Sequence, residues 1–152
     1  LARGSDIEPM TDEEFLTMQG VNTAGAFYTA RESLSALREA AVNIVFIGSF
    51  AGKYPRPFNP VYAATKWWVR GFAMSLAAQV GEDDIGVTVV NPSEVRTEFE
   101  SADGTPFAEV FAECDVTEPE EVADAVAFAL SQEPPTTVNE LDVYRRDKFG
   151  HF

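Results

Sequence analysis

From Thr11 onward, apolar side chains recur at helical spacing: Phe15, Met18, Val21, Ala24 and Tyr28. That spacing predicts a long helix over residues 10–38. Thr11, with Glu14 three residues on, has the form of a capping box at its start. Gly20 and Gly25 weaken the middle and predict a bend there. The period then changes. "NIVFIG" (43–48) is an unbroken apolar run rich in β-branched residues, which predicts a strand buried on both faces, as in a parallel sheet. After the proline-rich "KYPRPFNP" comes a helical segment from about Val61 to Val80, then a second buried strand, "GVTVVNP" (86–92). Residues 93–117 carry little periodicity and predict a long loop with room for one short helix. "EPEEVADAVAFALSQ" (118–132) predicts a helix with proline in its first turn and acids at its positive end. "VNELDVY" (138–144) is a third strand candidate. This alternation predicts one α/β domain over 1–152, in segments 10–38, 43–80, 86–117 and 118–146, layered on a parallel sheet. Three strands make a thin sheet, which suggests further neighbours.

Composition narrows the function classes. At 152 residues and 45% hydrophobic content, one domain with a real core is expected. No apolar run approaches the ~18 residues that cross a bilayer, and no basic-then-apolar leader opens the sequence; the expectation is a soluble cytoplasmic protein without a membrane partner. Twenty-five acidic residues face 11 basic ones, a net charge of −14, and only Lys53, Lys66 and Lys148 are lysines. Such a surface repels phosphate backbones and excludes nucleic acid as a natural partner. It also looks like the surface of halophilic proteins, whose self-repulsion is screened by salt. Cys114 and His151 stand alone, so no metal site is expected.

Candidate chemistry lies between Ser49 and Lys66. Tyr62 and Lys66 are four apart on a predicted helix and share a face. A phenol has a pKa near 10 and is a poor base at neutral pH; a nearby ammonium favours the phenolate. Such a pair can pass a proton to or from a substrate oxygen. Ser49 closes the first predicted strand, where ligands meet the sheet in open α/β folds, and its hydroxyl could hold a carbonyl oxygen beside the tyrosine.

With these residues in place, the chain resembles the short-chain dehydrogenase/reductase (SDR) family, from "TDEEF" to "VNELDV". Members carry a serine thirteen residues before the tyrosine of Tyr-x-x-x-Lys, as Ser49, Tyr62 and Lys66 stand here. They carry an asparagine in the preceding helix, matched by Asn22 in "GVNTAGAFY", and Asn-Pro-Gly-x-Val-x-Thr after the next strand, matched by "NPSEVRT" (91–97). The resemblance implies a partial doubly wound, Rossmann-type sheet and hydride exchange between NADP or NAD and a small carbonyl or alcohol substrate. It implies Tyr62 as general acid/base, Lys66 lowering its pKa while bonding the nicotinamide ribose, Ser49 polarising the carbonyl, and Asn22 holding a water that links Lys66 to solvent. Pro92, Ser93, Val95 and Thr97 would lie along the nicotinamide. Ser93 replaces the family's glycine and could narrow that space or demand an altered turn, whereas Gly48, often serine, is expected to matter little. The resemblance also implies a homo-dimer or homo-tetramer built on the two long helices, and the second of these has apolar residues on more than one face.

The glycine-rich turn that opens the family's fold, and its Asn-Ala-Gly motif, are not found; Leu1 stands where that motif would just have ended. The expectation is the C-terminal portion of an active oxidoreductase, which alone would bind a dinucleotide poorly. The alternative is a truncated, inactive remnant that self-associates.

Overall fold

The computed structural model describes residues 2, 6–40, 42–100 and 104–151; the side chain of His151 and residues 101–103, within the segment expected to be a loop, lie outside the described residues. Thr11 caps α1 (Asp12–Gln19): its hydroxyl accepts from the Glu14 amide while the Glu14 carboxylate accepts from the Thr11 amide. Where a bend is expected, the helix widens into a π-helical turn, Gly20–Ala24, and resumes as α2 (Gly25–Ala40). Both glycines border that turn, and Gly25 donates its amide to the Gly20 carbonyl, the i to i−5 bond of a π-helix.

β1 (Ile44–Ile47), β2 (Val87–Pro92) and β3 (Glu140–Val143) form one parallel sheet in that order. Ile44 lies opposite Val87, and Val89 opposite Glu140. α3 (Pro60–Val80) links β1 to β2, and α5 (Pro119–Leu130) precedes β3, starting with proline as expected. The main core joins Ala30 of α2, Val69, Ala73, Leu76 and Val80 of α3, and Phe46, Val87 and Val89 of the sheet. α5 packs on all three strands, and none of its residues enters that core; it covers the other face, toward which Thr88 and Val90 alternate. Burying each Val or Leu side chain there stabilises the fold by about 1.5–3 kcal/mol.

β2 is buried at all six positions, as its sequence predicts. β1 is not. Ile44 and Val45 are only half-buried and Ile47 is 47% exposed. β1 forms the sheet edge, and on its outer side it pairs with no strand among the described residues. A groove runs between this edge and Val21–Ala30 of the π turn and α2.

Candidate active site

Ser49 follows β1 in extended conformation and caps a 3-10 turn, Phe50–Gly52. Its Oγ accepts from the Ala51 amide at 3.1 Å, which occupies a lone pair and leaves the hydroxyl proton free for a partner outside the turn. The Tyr62 phenol lies close enough for that hydroxyl to favour its charged form. The meeting depends on close packing of the turn against α3. A Cβ on Gly52 would stand 2.8 Å from the Lys66 carbonyl oxygen, so any larger residue would push α3 away. Gly48 is equally constrained: its Cβ would stand 2.2 Å from Asn91 Oδ1 and 2.8 Å from Val89. A serine there would not fit, so this glycine matters more than its sequence context suggests.

Tyr62 is buried in the first turn of α3, its ring 5.8 Å from that of Phe99. Burial pushes its phenol above the usual value, because a phenolate loses hydration. The Ser49 hydroxyl and the Arg56 guanidinium pull the other way. Lys66 lies one turn on, its Nζ 5.9 Å from the centre of the Tyr62 ring. The amine donates to the Ile47 carbonyl at 2.9 Å, and burial brings its pKa down to about 8. Arg56 thus joins Lys66 as a cation near the phenol, while the lysine amine is also bonded to a backbone acceptor at the sheet edge.

Asn22 is buried at the centre of the π turn. Its amide donates to Thr65 Oγ1 at 3.0 Å, and that hydroxyl donates to the Tyr62 carbonyl at 2.7 Å. The widened turn thus grips α3 between Tyr62 and Lys66. Asn22, Lys66 and Ile47 also line the same groove beside β1, of about 320 Å³.

These groups open on a cavity of about 760 Å³ at the carboxyl ends of β1 and β2, the place where open parallel sheets bind ligands. One wall carries Ser49, Tyr62 and Lys66; Pro92, Ser93, Val95 and Thr97 form another. Ser93 needs no left-handed backbone. Its amide donates to the Val143 carbonyl at 3.0 Å and its Oγ accepts from the Arg145 amide at 3.3 Å, fastening the end of β2 to that of β3. Phe99, Phe107 and Phe111 roof the cavity, the last two from the short helix α4 (Phe107–Val110) and its end.

Sequence reasoning missed three contributors. Arg56 stands in "YPRPF", and a cation six residues before the tyrosine is the signal that could have marked it. Lys148 and Glu94 form a bonded pair on the cavity wall, 54 residues apart in sequence. Burial raises the Glu94 carboxyl, but the Lys148 ammonium outweighs it and holds the group below the usual range. Nothing local foretells that pairing.

The profile of the short chain dehydrogenase family matches residues 1–107, so the chain belongs to the short-chain dehydrogenases. An uncharacterized oxidoreductase of Staphylococcus epidermidis is 30% identical over 140 residues, covering 91% of this chain and 58% of that protein. One from Schizosaccharomyces pombe is 28% identical, over 86% and 51% respectively. The chain thus spans about half the length of the curated relatives it matches. Among solved structures, a serine dehydrogenase complexed with NADP+ superposes with a TM-score of 0.84 at 26% identity, over 95% of this chain and 61% of that one. A 3-ketoacyl-(acyl-carrier-protein) reductase from Brucella melitensis complexed with NADH gives 0.77 at 27%, over 93% and 61%. No helix among the described residues is long and apolar enough to cross a membrane, and no cluster of metal-binding side chains occurs among them.

Proposed function

We propose that this chain carries the catalytic part of an NAD(P)-dependent oxidoreductase that interconverts an alcohol and a ketone or aldehyde. One observation carries the reading: Ser49, Tyr62 and Lys66 line one cavity at the strand ends, with the Ser49 hydroxyl close enough to favour the Tyr62 phenolate and the Lys66 amine one helical turn away. The wall opposite them is suited to a flat ring, being built from Pro92, Val95 and Thr97; Lys66 offers an ammonium donor. These residues and Ser93 would hold the nicotinamide end of NADP or NAD. When bound, that group supplies or accepts the hydride. The two similar structures with nicotinamide cofactors support this choice.

The rest falls to the chain's own side chains. A carbonyl oxygen placed between Ser49 and Tyr62 receives two hydrogen bonds, which stabilise the negative charge that grows there during reduction. Tyr62 then gives up its proton to that oxygen. Because burial keeps the phenol protonated, the tyrosine is ready as an acid without any lowering of its pKa. The reverse reaction needs the phenolate, which Ser49, Arg56 and the Lys66 ammonium each favour by bond or charge. Asn22 acts through Thr65 as a positioning residue for the helix. The whole encoded chain is expected to oxidise NADPH or NADH in the presence of small ketones. No carbonyl-dependent loss of absorbance at 340 nm across a broad panel, with either nucleotide, would overturn the reading.

The chain also offers a surface for a second copy. Trp67, Trp68 and Met74 on α3, with Phe27 and Tyr28 on α2, are exposed. The rings form a continuous patch: Phe72 stacks on Trp68 at 4.9 Å and meets Phe27 at 6.3 Å. Exposed aromatic area of this kind marks interfaces. A homodimer through these helices should appear in sedimentation equilibrium and dissociate in Trp67→Glu/Trp68→Glu. A monomeric wild type at micromolar concentration would contradict it.

A further inference from the structure

The cavity wall carries a cation whose hydrogen-bond donors are not used by its effect on Tyr62. Arg56 lies in the loop between the 3-10 turn and α3, between Pro55 and Pro57, whose rings restrict the backbone on either side. Its guanidinium rests over Phe58, 4.3 Å from the ring centre, and 5.4 Å from that of Phe50. The two aromatic contacts hold the group in place, and its edge carries five N–H donors. Yet it makes no hydrogen bond or ion pair with any described residue, although burial already weakens its charged form.

The neighbouring charges do not satisfy it. One oxygen of Glu94, its strongest electrostatic partner, is bonded to Lys148, and the other, buried, makes no hydrogen bond to Arg56. Glu14 is taken up by the Thr11 cap, and Glu100 is exposed. Arg56 lines the same cavity as Ser49 and Tyr62, and its field reaches the Tyr62 hydroxyl. A half-buried guanidinium with open donors beside the acid/base group is arranged to receive a planar anion in a two-pronged bond. In a chain of net charge −14, it also provides a local reversal of sign where an anion would otherwise be repelled.

We propose that Arg56 recognises a carboxylate on the substrate, so that the compounds exchanged are an oxo acid and the matching hydroxy acid. The carboxylate lies on Arg56 while the carbonyl oxygen lies between Ser49 and Tyr62. This rests on the oxidoreductase reading of the same cavity, and deepens it by naming the substrate class.

The test compares 3-oxobutanoate with its methyl ester, using the whole encoded chain as wild type, Arg56→Gln and Arg56→Lys. The ratio of kcat/KM for the acid over the ester is expected to fall about 10- to 100-fold in Arg56→Gln, as loss of a charge-assisted contact implies, and to recover in part in Arg56→Lys. A ratio unchanged in Arg56→Gln overturns the proposal, since damage to the site would lower both substrates alike. A loss confined to NADPH affinity overturns it too, because the arginine would then be reading a cofactor phosphate. Calorimetric binding of 3-hydroxybutanoate separates this proposal from the redox reading. If wild type shows no turnover but binds the hydroxy acid at least tenfold more tightly than Arg56→Gln, the carboxylate site stands and the oxidoreductase reading falls. Equal binding by both, or by neither, overturns the carboxylate site.

Discussion

Tyr62→Phe is expected to lower kcat for carbonyl reduction by about 10²- to 10⁴-fold, the span that a positioned general acid contributes. The fold should survive. Phenylalanine keeps the ring that packs on Phe99, and the change removes a hydroxyl whose burial is costly unless it is bonded. Ser49 would keep its bond from the Ala51 amide. Cofactor affinity should move little, because the phenol's distinctive work is on the substrate oxygen. Steady-state rates, with circular dichroism as a check on folding, decide the matter. A variant that reduces carbonyls at the wild-type rate would remove Tyr62 from the chemistry.

Lys66 is expected to set the upper pH limit of reduction. Burial lowers its pKa to about 8 from the ordinary 10.5, so the ammonium is lost as pH rises through about 8. If that charge favours the developing phenolate, kcat/KM for reduction stays level below this point and declines above it. Lys66→Met should lose at least tenfold, the equivalent of one pKa unit on the tyrosine, and should abolish the decline near pH 8. Stability has the opposite sign. The folded pKa lies below the unfolded one, so the unfolded state holds more protons between about pH 8 and 10.5. Stability from this group therefore rises with pH across that window, and its full penalty applies below pH 8. Lys66→Met removes the penalty, and its melting temperature at pH 7 should equal or exceed that of wild type. A variant that melts well below wild type, or keeps the pH 8 decline, would mean that Lys66 is held by its Ile47 bond for structural reasons and does not govern catalysis.

How much of this was legible in the order of residues can be argued element by element. The Thr11–Glu14 box, the proline at the start of α5 and the three strands all follow from local signals, and each appears within a few residues of its expected bounds. The bend at Gly20 and Gly25 was legible as a weakness, but its form, a π turn gripping Thr65 through Asn22, depends on a residue 43 positions away. The pairing of Tyr62 with Lys66 on one helical face follows from spacing alone. The direction of the Lys66 amine does not, because the Ile47 carbonyl that attracts it belongs to another element.

Sequence alone determined the layered α/β class, the order of its helices and strands, and the placing of Tyr62 and Lys66 on one helical face, because these rest on interactions within one or two turns of chain. Tertiary structure decided which strand lies at the edge, why Gly48 and Gly52 admit no side chain, that Lys148 meets Glu94, and that Arg56 stands open beside Tyr62. Those outcomes turn on contacts between segments far apart in the chain, where burial and distance, and not periodicity, set the energies.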